Sequence, residues 1–228
     1  MTRTTLLFLA LGAAGCATAA PVRTPDLCRA TRAGRTHETV RPAPDDVLVF
    51  HEITFDVPGA RERFVPAFLG ERLSTFIRGD GKLPAVDHTE ALTTALYPAP
   101  GSLRLVCLAD GNVADEEVLE QDGRHLRYLV TNYSSPEAGP IAYGIGELTF
   151  EPGSGATEAT HVRWRYGFKL RSDRFPGYLG GLGRSLFRSN FLESDYAPFM
   201  EHQARDIRAF AERIVADAAL PRPPAGER

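Results

Sequence analysis

The chain has 228 residues, a formal net charge of −3 at pH 7, and 24% charged residues. The two signs are well mixed, and the absence of a basic stripe argues against nucleic acid as a partner. The six histidines and three cysteines show no spacing typical of metal ligands, and no nucleophile motif such as G-x-S-x-G occurs. We therefore expect no metal site and no cofactor.

Residues 1–15 have the pattern of an export signal. A short positive segment ending at Arg3 precedes an apolar stretch, Thr4 to Gly12, that is too short to cross a bilayer stably. The following Ala13-Ala14-Gly15-Cys16 resembles the lipobox of bacterial lipoproteins, with Ala13 where leucine is usual, and implies lipidation of Cys16. Two alternatives are ordinary cleavage near Ala17-Thr18-Ala19 and a buried N-terminal helix. We expect an exported chain, either a cell-envelope lipoprotein held on the membrane by its N-terminal lipid or a periplasmic protein.

The rest of the chain divides into three parts. Residues 16–46 are polar and proline-rich, which predicts a flexible tether, and residues 219–228 predict a disordered tail. Between them, residues 47–218 have the length of one domain with one core. Cys28 falls in the tether and Cys107 in an apolar strand, so we expect two separate thiols. A disulfide is the alternative that an oxidising compartment permits.

The domain begins with a strand and two short helices. The β-branched and aromatic run from Val47 to Phe55 predicts the strand, after which Asp56 is expected to cap a helix that ends near Gly70. Pro66 is expected to shorten or bend this helix. A second short helix is predicted over 72–77.

The hydrophobic period then changes to two, which predicts an antiparallel meander. Turn residues such as Asp110-Gly111 and Asp122-Gly123 separate consecutive strands. A glycine-rich segment follows, and an apolar stripe from Phe199 to Ile214 predicts a long amphipathic helix. The fold class is α+β, with a curved sheet of about seven strands wrapped around that helix. The six further strands are predicted at 86–93, 102–109, 113–120, 126–133, 141–151 and 159–171.

The order of these elements and several strand motifs resemble a known superfamily. The motifs are PGSLRLVCLADGN from Pro100, EEVLEQDGRHLRYLVTNY, PIAYGIGELTFEP and THVRWRYGFKLR. They resemble those of the START, birch-pollen-allergen and polyketide-cyclase proteins (SRPBCC) over residues 47 to 214. The resemblance implies a helix-grip fold with a cavity between sheet and helix, used for lipids, sterols or polyketides. It departs from the family at Pro66 and at the long glycine-rich segment.

This resemblance implies a binder or carrier of a small hydrophobic ligand, lipid or lipid-like, without catalysis. Two alternatives remain open: a cyclase, aromatase or hydratase-type enzyme, and a structural envelope protein whose cavity is collapsed. Alternation along the strands names the candidate cavity residues, although the same side chains could instead fill the core. The candidates are Tyr128, Val130, Tyr143, Ile145, Trp164, Tyr166 and Phe168.

Other residues are weaker candidates for function. Glu147 shares parity with Tyr143 and Ile145 and is the best candidate for an inward carboxylate, whereas the acidic strand from Asp115 to Glu120 is expected to be mostly solvated. The glycine-rich segment around 177–183 lacks a phosphate-binding context. It is expected to be a flexible connection, with a mobile lid or a membrane-facing loop as alternatives.

Overall fold

The computed structural model describes residues 24–36, 38–153 and 158–219. The predicted export signal, its lipidation site Cys16, and residues 220–228 lie outside the described residues. No helix in the part of the chain that the structure describes combines the length and hydropathy needed to cross a membrane.

Seven antiparallel strands form one sheet in the order β1-β7-β6-β5-β4-β3-β2. This arrangement confirms the predicted meander, with the first strand closing onto the last. The register is continuous along β1 and β7, from Val49 opposite Phe168 to Pro58 opposite Ala159. The strands are β1 (Val49–Pro58), β2 (Val86–Ala91), β3 (Leu103–Leu108), β4 (Val113–Gln121), β5 (His125–Thr131), β6 (Ile141–Pro152) and β7 (Ala159–Leu170).

The two predicted short helices after β1 are one α-helix and one 3₁₀ turn. Helix α2 spans Arg61–Gly70 without interruption at Pro66, and the turn spans Leu73–Thr75. Asp56 does not cap α2, because pairing with β7 extends β1 through Pro58. The carboxylate of Asp56 instead contacts His161 on β7, at 2.8 Å.

The predicted long C-terminal helix begins earlier than its apolar stripe indicated. Helix α3 (Gly181–Phe187), a π-helical segment (Arg188–Tyr196) and helix α4 (Ala197–Ala219) follow one another without a break. We call this run the C-terminal helical stretch. Its first half carries buried or half-buried residues at 187, 191, 196 and 200, a spacing of four or five that a regular helix does not give. The π-helical segment therefore hides the helical period from sequence analysis.

The main core lies between the sheet and the helices. Even-numbered residues of β7 from Val162 to Leu170 face it, as the alternation predicted, together with Met200, Ala204 and Ile207 of α4. Helix α4 also packs along β1. This packing confirms the predicted arrangement of a curved sheet around a long helix.

The prediction of a flexible tether is wrong for residues 24–36 and 38–46, which cover part of the outer face of the sheet. Helix α1 (Thr24–Ala33) is linked to β3 by a Cys28–Cys107 disulfide, so the expected separate thiols are also wrong. The polar composition of this segment predicts flexibility because it contains few apolar groups, Cys28 and Val40 among them. These few groups are enough to order the segment because a covalent bond and polar contacts also hold it on the sheet. The Thr31 hydroxyl, for example, donates to the carbonyl of Gly111 at 3.1 Å.

Asp46 joins this segment to the sheet through two short hydrogen bonds. Its carboxylate accepts a hydrogen bond from Lys169 Nζ at 2.6 Å and one from the Tyr143 hydroxyl at 2.5 Å. The hydrogen bonds from Lys169 and Tyr143 lower the pKa of Asp46 to about 2. Since the folded state thereby favours the ionised carboxylate, Asp46 stabilises the fold above its unfolded pKa of about 4.

We predict that Asp46→Asn lowers the free energy of unfolding by roughly 1–2 kcal/mol at neutral pH. The difference from the parent chain should shrink as pH falls from about 4 to about 2, where Asp46 itself becomes protonated. Chemical denaturation at several pH values measures this effect, and the exposed neighbour Asp45→Asn is the matched control. Equal stability of the Asp46 variant and the parent chain at neutral pH would contradict the assignment.

Candidate ligand-binding site

An ion pair is buried between the sheet and the helices. Arg104 of β3 and Glu116 of β4 are cross-strand partners, and their exposed fractions are only 9% and 6%. The Arg104 Nε and Nη2 groups both donate to Glu116 Oε1, at 2.9 and 2.5 Å. Glu116 faces the interior because Ala114 and Val118, its alternate neighbours on β4, belong to the main core.

Tyr97 completes this polar centre from the loop before β3. The Arg104 guanidinium lies 3.8 Å from the centre of the Tyr97 ring, in cation–π geometry. Burial is the largest single effect and lowers the pKa of Arg104, but the charge and hydrogen bond of Glu116 together with the neighbouring tyrosines more than offset it, and the pKa ends above its ordinary value. Burial, aided by the Glu116 charge, raises the pKa of Tyr97 to about 12.

Four further tyrosines lie in the same interior. The hydroxyls of Tyr133 and Tyr166 are 3.4 Å apart, and the ring of Tyr166 lies 6.1 Å from Tyr128 and 5.0 Å from Tyr196. Burial is the main cause that raises the pKa of all four phenols. They therefore stay protonated near neutral pH, where each offers a hydrogen-bond donor and acceptor rather than a general base.

Two glycines of β6 make the room for these rings. A side chain at Gly144 would collide with the Tyr166 and Tyr133 hydroxyls, and one at Gly146 would collide with the Tyr128 ring. Both glycines therefore face the interior and let the tyrosine rings lie directly on the β6 backbone.

Five of the seven predicted cavity residues lie on this inner face. Val130, Trp164, Tyr166 and Phe168 are buried in the main core, and Tyr128 packs against it. Whether these side chains bind a ligand stays a prediction. Their shared face follows from the regular alternation along β5 and β7.

Tyr143 and Ile145 lie on the opposite, outer face, where they pack with Leu129 and Val40. The cause is a register shift in β6: Ile141 pairs with Leu170, which faces inward, whereas Tyr143 pairs with Lys169, which faces outward.

Glu147 shares the outer face with Tyr143, so its predicted inward orientation is wrong. Its carboxylate oxygens lie 3.3 Å from Arg127 Nε and 3.9 Å from Arg165 Nη1. The inward carboxylate is Glu116, from the acidic strand that was expected to be mostly solvated. Its alternation with Ala114 and Val118 is the sequence signal that could have found it, because a solvated face does not carry two apolar neighbours at that parity. Tyr97, Arg104, Tyr133 and Tyr196 were also missed.

Aromatic rings occupy much of the predicted cavity. The Phe168 ring lies 5.6 Å from both Phe187 and Phe191 and 4.8 Å from Tyr196, measured between centroids. A groove of about 560 Å³ opens at the surface between α2 and the β4–β5 turn. Its wall includes the core residues Val65 and Leu69, so it reaches the edge of the interior, and its volume suits a small ligand.

A cluster with metal-ligand character lies on the outer face. The ligand atoms of Cys28, His88 and Cys107 are within 4.8 Å of one another. The two sulfurs are bonded to each other, so they are not available as thiolate ligands in this state. The cluster is explained by the disulfide, with His88 as its cross-strand neighbour through Cys107.

No protein-family model matches the sequence, and no curated protein matches it. Solved structures match its fold. The di-domain ARO/CYC StfQ from the steffimycin biosynthetic pathway aligns with a TM-score of 0.53 and 17% identity, over 75% of this chain and 53% of that one. Ara h 8.0201 aligns with a TM-score of 0.51 and 10% identity, over 73% of this chain and 99% of that one. A point mutant of the norcoclaurine synthase of Thalictrum flavum, in complex with a transition-state analogue, aligns with a TM-score of 0.51 and 10% identity, over 75% of this chain and 98% of that one.

These similarities show the fold alone. The protein shares the helix-grip fold of these solved structures, the fold that the resemblance of its sequence motifs implied. It spans about half the length of the two-domain StfQ.

We predict that Glu116→Gln lowers the free energy of unfolding by about 3 kcal/mol, because it leaves the Arg104 charge buried without its partner. The double variant Arg104→Met, Glu116→Leu should lose less, since no charge remains to be desolvated. Denaturation followed by the fluorescence of Trp164, the single tryptophan, measures both. Glu147→Gln on the outer face is the control, with an expected loss below about 1 kcal/mol. A loss for Glu116→Gln no larger than for this control would argue against a buried pair.

Proposed function

We propose that this protein is an exported, non-catalytic binder or carrier of a small hydrophobic ligand, a lipid or lipid-like molecule held between the sheet and the C-terminal helical stretch. The observation that carries the proposal is the composition of the interior. Aromatic rings supply apolar surface, and the Arg104–Glu116 pair with its tyrosines supplies a few polar groups. Such a mixture is typical of sites that hold an apolar molecule and orient its polar end.

The polar centre selects a ligand with at least one oxygen. The Arg104 guanidinium has five N–H donors and Glu116 Oε1 uses two of them. The ion pair is neutral as a unit, so it favours a carbonyl, hydroxyl or carboxyl group at the end of an apolar body over a multiply charged headgroup. The protonated phenol of Tyr128, which interacts with both charges of the pair, can donate to the same oxygen.

Entry requires that the interior rings move. The groove beside Val65 and Leu69 leads to the edge of the core. A ligand that continues inward first meets the rings of Phe64, Phe68 and Phe150, whose centroids are 5.6–6.2 Å apart, and must then displace the rings around Phe168 to lie along the whole interior. Several of those rings belong to the π-helical segment or its borders, where the backbone hydrogen bonds differ from those of a regular helix. π-Helical turns often occur at functional sites, and we place the opening movement there.

Fluorescence can test this site. We predict that the delipidated full chain binds cis-parinaric acid and quenches Trp164, which lies beside the tyrosines in the buried core. Tyr166→Phe should weaken binding by roughly 3- to 10-fold, because it removes one interior hydroxyl. Tyr143→Phe is the matched control: its hydroxyl contacts Asp46 on the outer face, so affinity should not change.

Native mass spectrometry of gently purified protein, with organic extraction of what co-purifies, should reveal a defined hydrophobic molecule at near one-to-one ratio. A chain that takes up neither the fatty acid nor extracted native lipids would overturn the carrier proposal. That result would favour the structural alternative, in which the rings around Phe168 simply fill the core.

A second candidate is a cyclase-type enzyme acting on a bound apolar substrate. The observation that favours it is the buried ion pair next to several phenols, since titratable groups deep in a ligand site are common in enzymes. The co-purified molecule distinguishes the two: prolonged incubation leaves a carrier's ligand unchanged, whereas an enzyme converts it. Conversion that Glu116→Gln abolishes, with ligand binding retained, would establish the enzyme.

Export and lipid anchoring are part of the proposal. The Cys28–Cys107 disulfide supports an oxidising compartment, and the lipobox-like segment supports an anchor at Cys16. We predict that Cys16→Ala moves the protein from the membrane fraction to the soluble fraction and removes the lipid mass from its N-terminus. Ala17→Ser is the control and should leave the anchor in place. Unchanged membrane association of Cys16→Ala, with no lipid mass on the parent chain, would contradict this assignment.

A further inference from the structure

An exposed apolar knob lies where the loop after β7 enters the C-terminal helical stretch. It consists of Phe175, Tyr178, Leu179 and Leu182, with exposed fractions between 37% and 63%. The Phe175 and Tyr178 rings are 6.1 Å apart, centroid to centroid. Eight large hydrophobic side chains are exposed in the described residues, and four of them are concentrated in this eight-residue stretch. Scattered exposure is ordinary in soluble proteins, but a contiguous patch marks an interaction surface.

The glycines of this segment hold the knob in a compact shape. A side chain at Gly177 would collide with the carbonyl oxygen of Arg171, and one at Gly183 with that of Pro176. The chain is also closed by hydrogen bonds from the Tyr178 amide to Arg174 and from the Leu179 amide to Pro176. The glycines thus permit close backbone packing, and hydrogen bonds close the segment into a compact turn.

Arginines flank the knob on both sides in sequence. Residues 171–188 contain Arg171, Arg174, Arg184 and Arg188 against a single acidic residue, Asp173. Asp173 contacts Arg171 at 3.3 Å. Apolar side chains next to an excess of arginine match the interface of an anionic bilayer, where the rings enter the boundary of the acyl chains and the cations meet lipid phosphates.

We propose that the knob docks on the surface of an anionic lipid bilayer, as a membrane contact separate from any N-terminal lipid. Leu182 of the knob lies in the first turn of α3, and Phe187 is the last residue of the same helix. The Phe187 ring contacts Phe168 in the interior. A bilayer bound to the knob is therefore connected through α3 to the helical segment that packs over the aromatic interior. The docking surface is inferred from exposed side chains and from charge, so it does not depend on the proposed ligand.

Vesicle flotation tests the contact on the full chain carrying Cys16→Ser, which removes the lipid anchor as a cause of binding. The vesicles are phosphatidylcholine alone, or phosphatidylcholine with a minor share of phosphatidylglycerol. We expect binding to the anionic vesicles that weakens as salt is raised. Phe175→Ser with Leu182→Ser should reduce it at least about tenfold. Arg174→Gln with Arg184→Gln should reduce it roughly 10- to 30-fold.

Matched controls are available elsewhere on the surface. Leu96 is the most exposed large hydrophobic residue in the described residues, and Arg163 is an exposed arginine of β7. Leu96→Ser and Arg163→Gln should bind like the parent. The knob variants should still take up cis-parinaric acid in solution, which separates this test from that of the proposed ligand.

Three results would overturn the proposal. The first is equal flotation of the knob variants and the Leu96→Ser control, and the second is no flotation of the parent with anionic vesicles. The third is concentration-dependent self-association in sedimentation velocity that the Phe175→Ser, Leu182→Ser change abolishes without affecting flotation. In that case a second copy of the chain, not a bilayer, covers the knob.

Discussion

Trp164, Tyr166 and Phe168 face the helices that run from Gly181 to Ala219, and the positions of the other interior groups depend on this contact. Phe168 meets Phe187, Phe191 and Tyr196 at once. An α-helix returns a residue to the same face every 3.6 residues, so rings spaced by four and then five residues need a wider turn. The π-helical segment supplies it. The aromatic face of β7 therefore explains why the helical stretch departs from regular geometry where it crosses the sheet.

The tyrosines and the ion pair occupy the space that β6 leaves open. Gly144 and Gly146 contribute no side-chain volume to the interior, and phenol rings lie on their backbone instead. Those rings bring hydroxyls close to the Arg104–Glu116 pair, which is itself nearly closed to water. Apolar residues of similar volume often stabilise a core as well as a buried ion pair does. The polar groups are thus poorly explained by stability alone and favour a role in holding a ligand.

The hydrophobic period along the chain predicted the succession of strands, the aromatic face of β7 and the last helix, because this period is a local property. It failed wherever a distant contact changes the local pattern. The register shift near Ile141 reverses the parity of Tyr143 and Ile145, and the π-helical segment removes the helical period before Ala197. The alternation of Glu116 with Ala114 and Val118 could have indicated its burial, but its pairing with Arg104 follows only from the register of two strands. The prediction of a flexible tether failed because α1 has no apolar face that sequence analysis could detect. A disulfide, not an apolar face, holds this helix on the sheet.

The two sides of the sheet also explain why exposure at the knob is informative. One side of an antiparallel sheet is commonly left to solvent, but here residues 38–48 cover part of it, and Leu129, Tyr143 and Ile145 form a second apolar cluster beneath them. Asp46 fastens that cover through Lys169 and Tyr143. The chain therefore shields apolar side chains even outside its main core. It leaves Phe175 and Tyr178 uncovered on a hydrogen-bonded turn, and that contrast favours a surface that meets a partner outside the chain.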